Sequence, residues 1–236
     1  MIREPLRNAN LLRSRPAFLT LAALLAIFIA APRLRADEPY ARSRDYDLQH
    51  SKIALRFDID QKKVLGEVTH TLSILRDGST KIAFDSVGLT IQSVTLNKAA
   101  AKFETSTDKL IIPLPAAAKA GDKFEIAIRY EGKPAKGMYF ILPDKDYPDC
   151  PKQIWTQGES EDTRYYLPTY DYPNDRLTTE TILTVPASWI TVSNGKLMNV
   201  SDAGKGLKTW YWKESLPNST YLITVVAGEF DEVKDT

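Results

Sequence analysis

Single alternation of hydrophobic and polar residues dominates this chain from Tyr46 onward. Ile53, Leu55, Phe57 and Ile59 alternate with Lys52, Ala54, Arg56 and Asp58, the period of a half-buried strand. After the polar turn Asp60-Gln61-Lys62-Lys63 the even positions take over: Val64, Gly66, Val68, His70, Leu72 and Ile74. Two such runs joined by a short turn predict a hairpin, ended by the tight-turn pair Asp77-Gly78. Short apolar runs then recur at Lys81–Phe84, Ile91–Leu96 and Leu110–Leu114. After Gly121-Asp122 comes a strand with Phe124, Ile126, Ile128 and Tyr130 on one face. Further strands are expected at Gln153–Thr156, Leu177–Val185, Trp189–Ser193, Leu207–Trp212 and Tyr221–Val226. The only helical candidate after the N-terminal region is Ala116–Ala120, too short to stand alone. About a dozen short strands at even spacing predict an all-β fold, a curved antiparallel β-sandwich. No internal repeat or linker divides the chain after Asp37.

Composition leaves that picture intact. Apolar residues are 43% and charged residues 26% of 236, ordinary values for a globular chain with a full core. Charge changes it more. The net of +1 comes from the first 36 residues, which hold six arginines and one acid, Glu4; the remainder carries 25 basic and 29 acidic residues. A mildly acidic body without a basic stripe excludes nucleic acid as a partner.

The basic excess has its own explanation. Arg3, Arg7, Arg13 and Arg15 precede an apolar run from Ala17 to Ala31, followed by Pro32 and small residues up to Ala36. That order is the layout of a secretory signal, and it predicts an exported protein, periplasmic or extracellular. Residues 1–36 are expected to be the signal, and 37–236 one β-domain. A retained membrane anchor is the alternative, although fifteen apolar residues fall short of the ~20 that span a bilayer. Cys150 is the only cysteine, so no internal disulfide can form. It sits in the loop Pro148-Asp149-Cys150-Pro151 and reads as an unpaired thiol.

Catalytic chemistry is sparse. Zinc needs three or four convergent nitrogen, sulfur or carboxylate ligands, and the chain offers two separated histidines, His50 and His70, with Cys150. His70 lies in the inward series Val68-His70-Leu72 and is expected to be a packed, hydrogen-bonded core residue. No G-x-S-x-G elbow and no phosphate-binding glycine loop is present. Asn199-Val200-Ser201 and Asn218-Ser219-Thr220 match the glycosylation acceptor pattern, a weak three-residue signal that also requires a host that modifies it. From chemistry alone, a stand-alone β-sandwich binding or adaptor module without activity is one reading.

One segment says more. Residues 154–176 run from an apolar strand into Gln157-Gly158-Glu159, then acids, an arginine and aromatics, with prolines fixing two turns. Here Thr156-Gln157-Gly158-Glu159, Arg164 and Pro168-Thr169-Tyr170-Asp171-Tyr172-Pro173 stand in order. They are followed by Thr184-Val185-Pro186, the turn Ser193-Asn194-Gly195, Tyr221-Leu222-Ile223 and Gly228-Glu229-Phe230. Upstream lie the hairpin of Tyr46–Leu75 and Gly132-Lys133-Pro134 through Gly137-Met138-Tyr139-Phe140. This series resembles the N-terminal β-domain of the aminopeptidase N family of zinc aminopeptidases, which includes the leukotriene hydrolases. It covers about residues 45 to 232.

The resemblance implies a zinc metallo-aminopeptidase at full length, hydrolysing N-terminal residues from peptides with a free N-terminus. Its Zn2+ would be held by a catalytic domain carrying G-x-M-E-N and H-E-x-x-H, expected outside this chain, which alone would be inactive. It assigns Glu159, with Gln157, to the substrate's α-ammonium, by charge-assisted hydrogen bonding. Arg164, Asp171 and Pro173 are expected to shape the loop. Many relatives carry cysteine where this chain has Gly158 and Thr169, exchanges expected to be neutral for packing.

Overall fold

The two longest alternating runs form the first two strands. β1 (Tyr46–Asp58) and β2 (Lys63–Ile74) pair antiparallel, with Ile53 opposite Val68 and Phe57 opposite Val64. The computed structural model describes residues 42–233; the expected leader, residues 1–36, lies outside them. Val64, Gly66, Val68, His70, Leu72 and Ile74 all point inward, as their spacing demands. In β1 the buried positions run Tyr46, Leu48, then Ser51, Ile53 and Leu55, and the change of phase falls at a bulge between Leu48 and His50. One extra residue there keeps both halves of a long strand facing the core.

The remaining strands are β3 (Ser79–Asp85), β4 (Leu89–Leu96), β5 (Ala99–Ala100), β6 (Glu104–Thr105), β7 (Lys109–Ala118), β8 (Lys123–Gly132), β9 (Met138–Ile141), β10 (Gln153–Thr156), β11 (Leu177–Pro186), β12 (Ile190–Ser193), β13 (Lys196–Gly204), β14 (Leu207–Asn218) and β15 (Val225–Gly228). They form an eight-stranded sheet in the order β13-β14-β11-β1-β2-β8-β4-β5, a four-stranded sheet β12-β15-β10-β9 and a three-stranded sheet β3-β7-β6. Every pair is antiparallel except β1 with β11. A single buried cluster joins the sheets: Ile53, Val68 and Ile128 meet Ile82, Phe84 and Ile112 of the three-stranded sheet and Phe140, Ile154 and Ala227 of the four-stranded one. The all-β layered fold expected from the alternation is the fold observed.

Three local expectations are corrected. Ala116–Ala118 lies in β7, where Ser79 pairs with Ala118, so the weak helix gives way to an existing sheet edge. Pro113 and Pro115 are exposed there, compatible with a strand partly free of ladder bonds. Ser193-Asn194-Gly195 is not a hairpin turn: β12 pairs with β15 and β13 with β14, so the chain changes sheets at that point. The strand expected over Tyr221–Val226 begins only at Val225, after a 3-10 turn at Thr220–Leu222.

Candidate functional site

The four-stranded sheet delivers the loop of interest. β10 ends at Thr156, and Gln157 and Glu159 follow directly, both exposed, with buried Gly158 between them. The backbone is anchored on each side. The Gln157 amide donates to the Gly137 carbonyl (2.9 Å), and the Asp162 amide donates to the Gly158 carbonyl (2.9 Å), closing residues 158–162 into one turn. The peptide between Glu159 and Ser160 is cis. Gly137 has φ +75°, and a Cβ there would strike the Asp162 carbonyl, so only glycine lets the two segments approach. A Cβ on Gly158 would lie 2.6 Å from the Tyr221 carbonyl oxygen and 2.7 Å from Thr163 Oγ1. The exchange with cysteine expected to be neutral at Gly158 is therefore not neutral in this chain.

Beneath the loop the packing is polar and largely hydrogen-bonded. Thr163 Oγ1 donates to the Thr220 carbonyl, the Tyr166 hydroxyl to the Ile223 carbonyl and the Tyr130 hydroxyl to the Tyr166 carbonyl. Arg164, in a 3-10 turn at Thr163–Tyr165, reaches the buried Asp171 through its amide (3.0 Å) and Nε (3.3 Å), and its Nη2 pairs with Glu161. Asp171 Oδ1 also accepts from Thr220 Oγ1 (3.2 Å). Burial pushes the Asp171 carboxyl above its ordinary range, and the bonds from Arg164 only partly oppose that. Arg164 and Asp171 face the loop's interior, and Pro173 offers its carbonyl to Ser219 Oγ (3.4 Å).

The alternation gave no warning of a second buried carboxylate, Asp85. It closes the apolar run of β3 and is wholly buried. Its Oδ2 accepts from Arg42 Nη1 (2.7 Å) and from the Asp171 amide (2.9 Å), and its Oδ1 pairs with Lys109. Burial alone would raise its pKa; the hydrogen bonds from Lys109 and Arg42 outweigh burial and hold it below the ordinary value.

By contrast, the Glu159 and Gln157 side chains have no hydrogen bond to any of the described residues, so both are open to an incoming group. Among the described residues no three His, Cys, Asp or Glu side chains gather as a metal site. Both nitrogens of His70 are engaged, Nδ1 with Ser51 Oγ (2.7 Å) and Nε2 with the Pro168 carbonyl (2.8 Å). His50 Nδ1 bonds Thr178 Oγ1 (2.7 Å), and Cys150 lies in its loop near the Pro151 carbonyl. These residues do not fit a zinc centre.

The class of protein is thus a layered β-domain with an exposed acid, Glu159, in a loop anchored by backbone hydrogen bonds. Residues 43–222 match the Peptidase M1 N-terminal domain, and the chain belongs to that family. Leucine aminopeptidase 2 of Vanderwaltozyma polyspora is 24% identical over 80% of this chain and 30% of its own length. Aminopeptidase N of Acetobacter pasteurianus is 25% identical over 77% of this chain and 52% of its own. The fold superposes on the M1 zinc metallopeptidase of Deinococcus radiodurans with a TM-score of 0.70 at 24% identity, covering 81% of this chain and 44% of that one. A mutant of that metallopeptidase bound to a Tyr-Ser-Ala substrate gives 0.69. The chain spans about half or less of the length of these relatives.

Proposed function

We propose that this domain recognises the substrate's free N-terminus for an exported zinc metallo-aminopeptidase, with Glu159 accepting the α-ammonium and Gln157 lining the same site. The observation that carries the reading is the contrast around one loop. Every buried carboxylate near it is paired, and the exposed Glu159 is not. An ammonium is the complementary group: it donates three hydrogen bonds and carries the opposite charge. The names of the relatives support peptides as substrates. Zinc held outside this domain would supply a Lewis acid for hydrolysis of the first peptide bond. The leader, with four arginines ahead of an apolar run, supports export, with attachment to the membrane if it is retained. The acidic balance of the rest speaks against nucleic acid.

The test is Glu159→Gln in the full-length enzyme. A hydrogen bond to a charged group contributes about 1.5–3 kcal/mol, so kcat/KM for peptides with a free N-terminus is expected to fall about ten- to a hundredfold. Full activity, with undiminished discrimination between free and acetylated N-termini, refutes the assignment. A reading frame that continues past Thr236 without H-E-x-x-H refutes the enzyme reading and leaves a binding module.

A further inference from the structure

We infer that Asp85, a buried residue of a different sheet, is the positioning residue that sets the recognition loop; this rests on the role proposed for Glu159. The connection runs through named contacts. Asp85 exchanges both backbone hydrogen bonds with Thr169, at 2.7 and 3.0 Å, and its Oδ2 takes the Asp171 amide at 2.9 Å. The segment before Pro173 is thereby fixed to the end of β3. Asp171, so placed, takes the amide and Nε of Arg164. The Arg164 carbonyl accepts from the Val87 amide (3.0 Å), two residues past Asp85, so the turn is held on both sides by one stretch of chain. From Thr163–Tyr165 the chain runs directly back to Glu159 through the closed turn 158–162.

Charge explains why the residue at this place is an aspartate. Three cations, Arg42, Lys109 and Arg164, surround Asp85, the last at 3.9 Å from Oδ1. Asp171 and Glu161 supply two further negative charges. The cluster is balanced three against three only while Asp85 is ionised. An asparagine has nearly the same shape, but it turns an N–H toward donors and leaves a cation uncompensated in a partly dry site. Arg42 adds a tie to the start of the domain, with its guanidinium also 4.5 Å above the Tyr170 ring.

The experiment compares Asp85→Asn, Glu159→Gln and the double variant in the full-length enzyme, with amide hydrogen exchange on the same proteins. Expected for Asp85→Asn is a loss in kcat/KM of at least tenfold, carried mainly by KM. The double variant should lose little beyond Glu159→Gln alone, because both changes remove one interaction. Exchange should accelerate at least tenfold at the Asp162 and Asp171 amides and stay unchanged at Val68 in β2. Uniform acceleration at all three amides, with KM intact, overturns the inference while leaving Glu159 in place. If Glu159→Gln is silent, the proposed function fails, and localised exchange still decides whether Asp85 sets the loop. Should Asp85→Asn not fold, Arg42→Gln removes one donor from the rim of the cluster and is expected to give the same pattern at smaller size. No local effect in that variant also overturns the inference.

Discussion

His70 should titrate far below an ordinary histidine, and the stability of the domain should record it. The ring is wholly buried, stacked on Phe84 at 4.7 Å, and bonded at both nitrogens. The Pro168 carbonyl can only accept, so Nε2 carries the proton, and Nδ1 accepts from the Ser51 hydroxyl. Burial lowers the pKa from 6.5 to about 4, against a smaller opposing contribution from the Pro168 bond. The folded-state pKa lies below the unfolded one. Stability from this group is therefore complete above pH 6.5, declines as the unfolded chain alone takes the proton, and reaches its floor near pH 4. At 1.36 kcal/mol per unit, the decline amounts to about 3 kcal/mol, a large part of the ~5–15 kcal/mol of a typical domain.

Other groups must be separated from this effect. Asp171 and Asp175, both raised by burial, act in the opposite sense where they titrate above 3.8. Asp85, held low, loses its contribution only below that value. His50 is lowered too, chiefly by burial, and works in the same direction as His70. The clean measurement is a difference. Urea unfolding of the wild type and His70→Gln is run from pH 8 to pH 4. The variant keeps a donor toward Pro168 but leaves Ser51 Oγ without its acceptor, costing about 1–3 kcal/mol at pH 8. The two curves should converge as the pH falls, because only the wild type loses the histidine contribution. NMR supplies a direct check, since there are only two histidines to assign. Parallel curves, or a His70 ring that titrates near 6.5 in the folded protein, would refute the reasoning.

Two substitutions separate positions that had looked alike. Gly158→Ala should destabilise by about 1–3 kcal/mol, because the new Cβ meets a backbone carbonyl that cannot rotate away; thermal or urea melts measure it. Thr169→Cys should instead raise stability by about 1 kcal/mol. Thr169 Oγ1 is buried without a partner among the described residues, and a thiol of similar size needs none; the same melts check the opposite sign.

What the sequence made legible follows from how each strand is buried. β1, β2 and β8 have one face in the core and one toward solvent, so their alternation is plain. β13 is exposed at every position and carries no alternation to read. The parallel β1–β11 pair joins segments more than a hundred residues apart, and no local pattern encodes such a partner. Gln157, Glu159, Arg164 and Asp171 were singled out by an ordered motif. Asp85 was missed because a buried acid at the end of an apolar run looks like any strand terminus. Its three cations come from the domain's first residues, from β7 and from the loop itself. Only the folded chain brings them together.

Energy scales say what the buried charges would contribute under the role proposed for Glu159. Fixing the backbone of one residue costs roughly 1–2 kcal/mol. If the turn of five residues from Gly158 to Asp162 became ordered only on binding, the cost would be about 5–10 kcal/mol. A hydrogen bond between Glu159 and an ammonium contributes about 1.5–3 kcal/mol, too little to offset it. A loose loop with the same glutamate would not recognise an amine measurably. Under the role proposed for Glu159, the ordering is completed at folding, by elements that leave the Glu159 side chain unpaired. Asp85 and Asp171 satisfy both conditions. They are fully buried, Asp85 takes two of its cations, Arg42 and Lys109, from outside the loop, and both acids reach the loop through backbone amides. On the proposed role, the order of the loop and the availability of Glu159 thus come from a single arrangement, in which the buried carboxylates are paired and Glu159 is not.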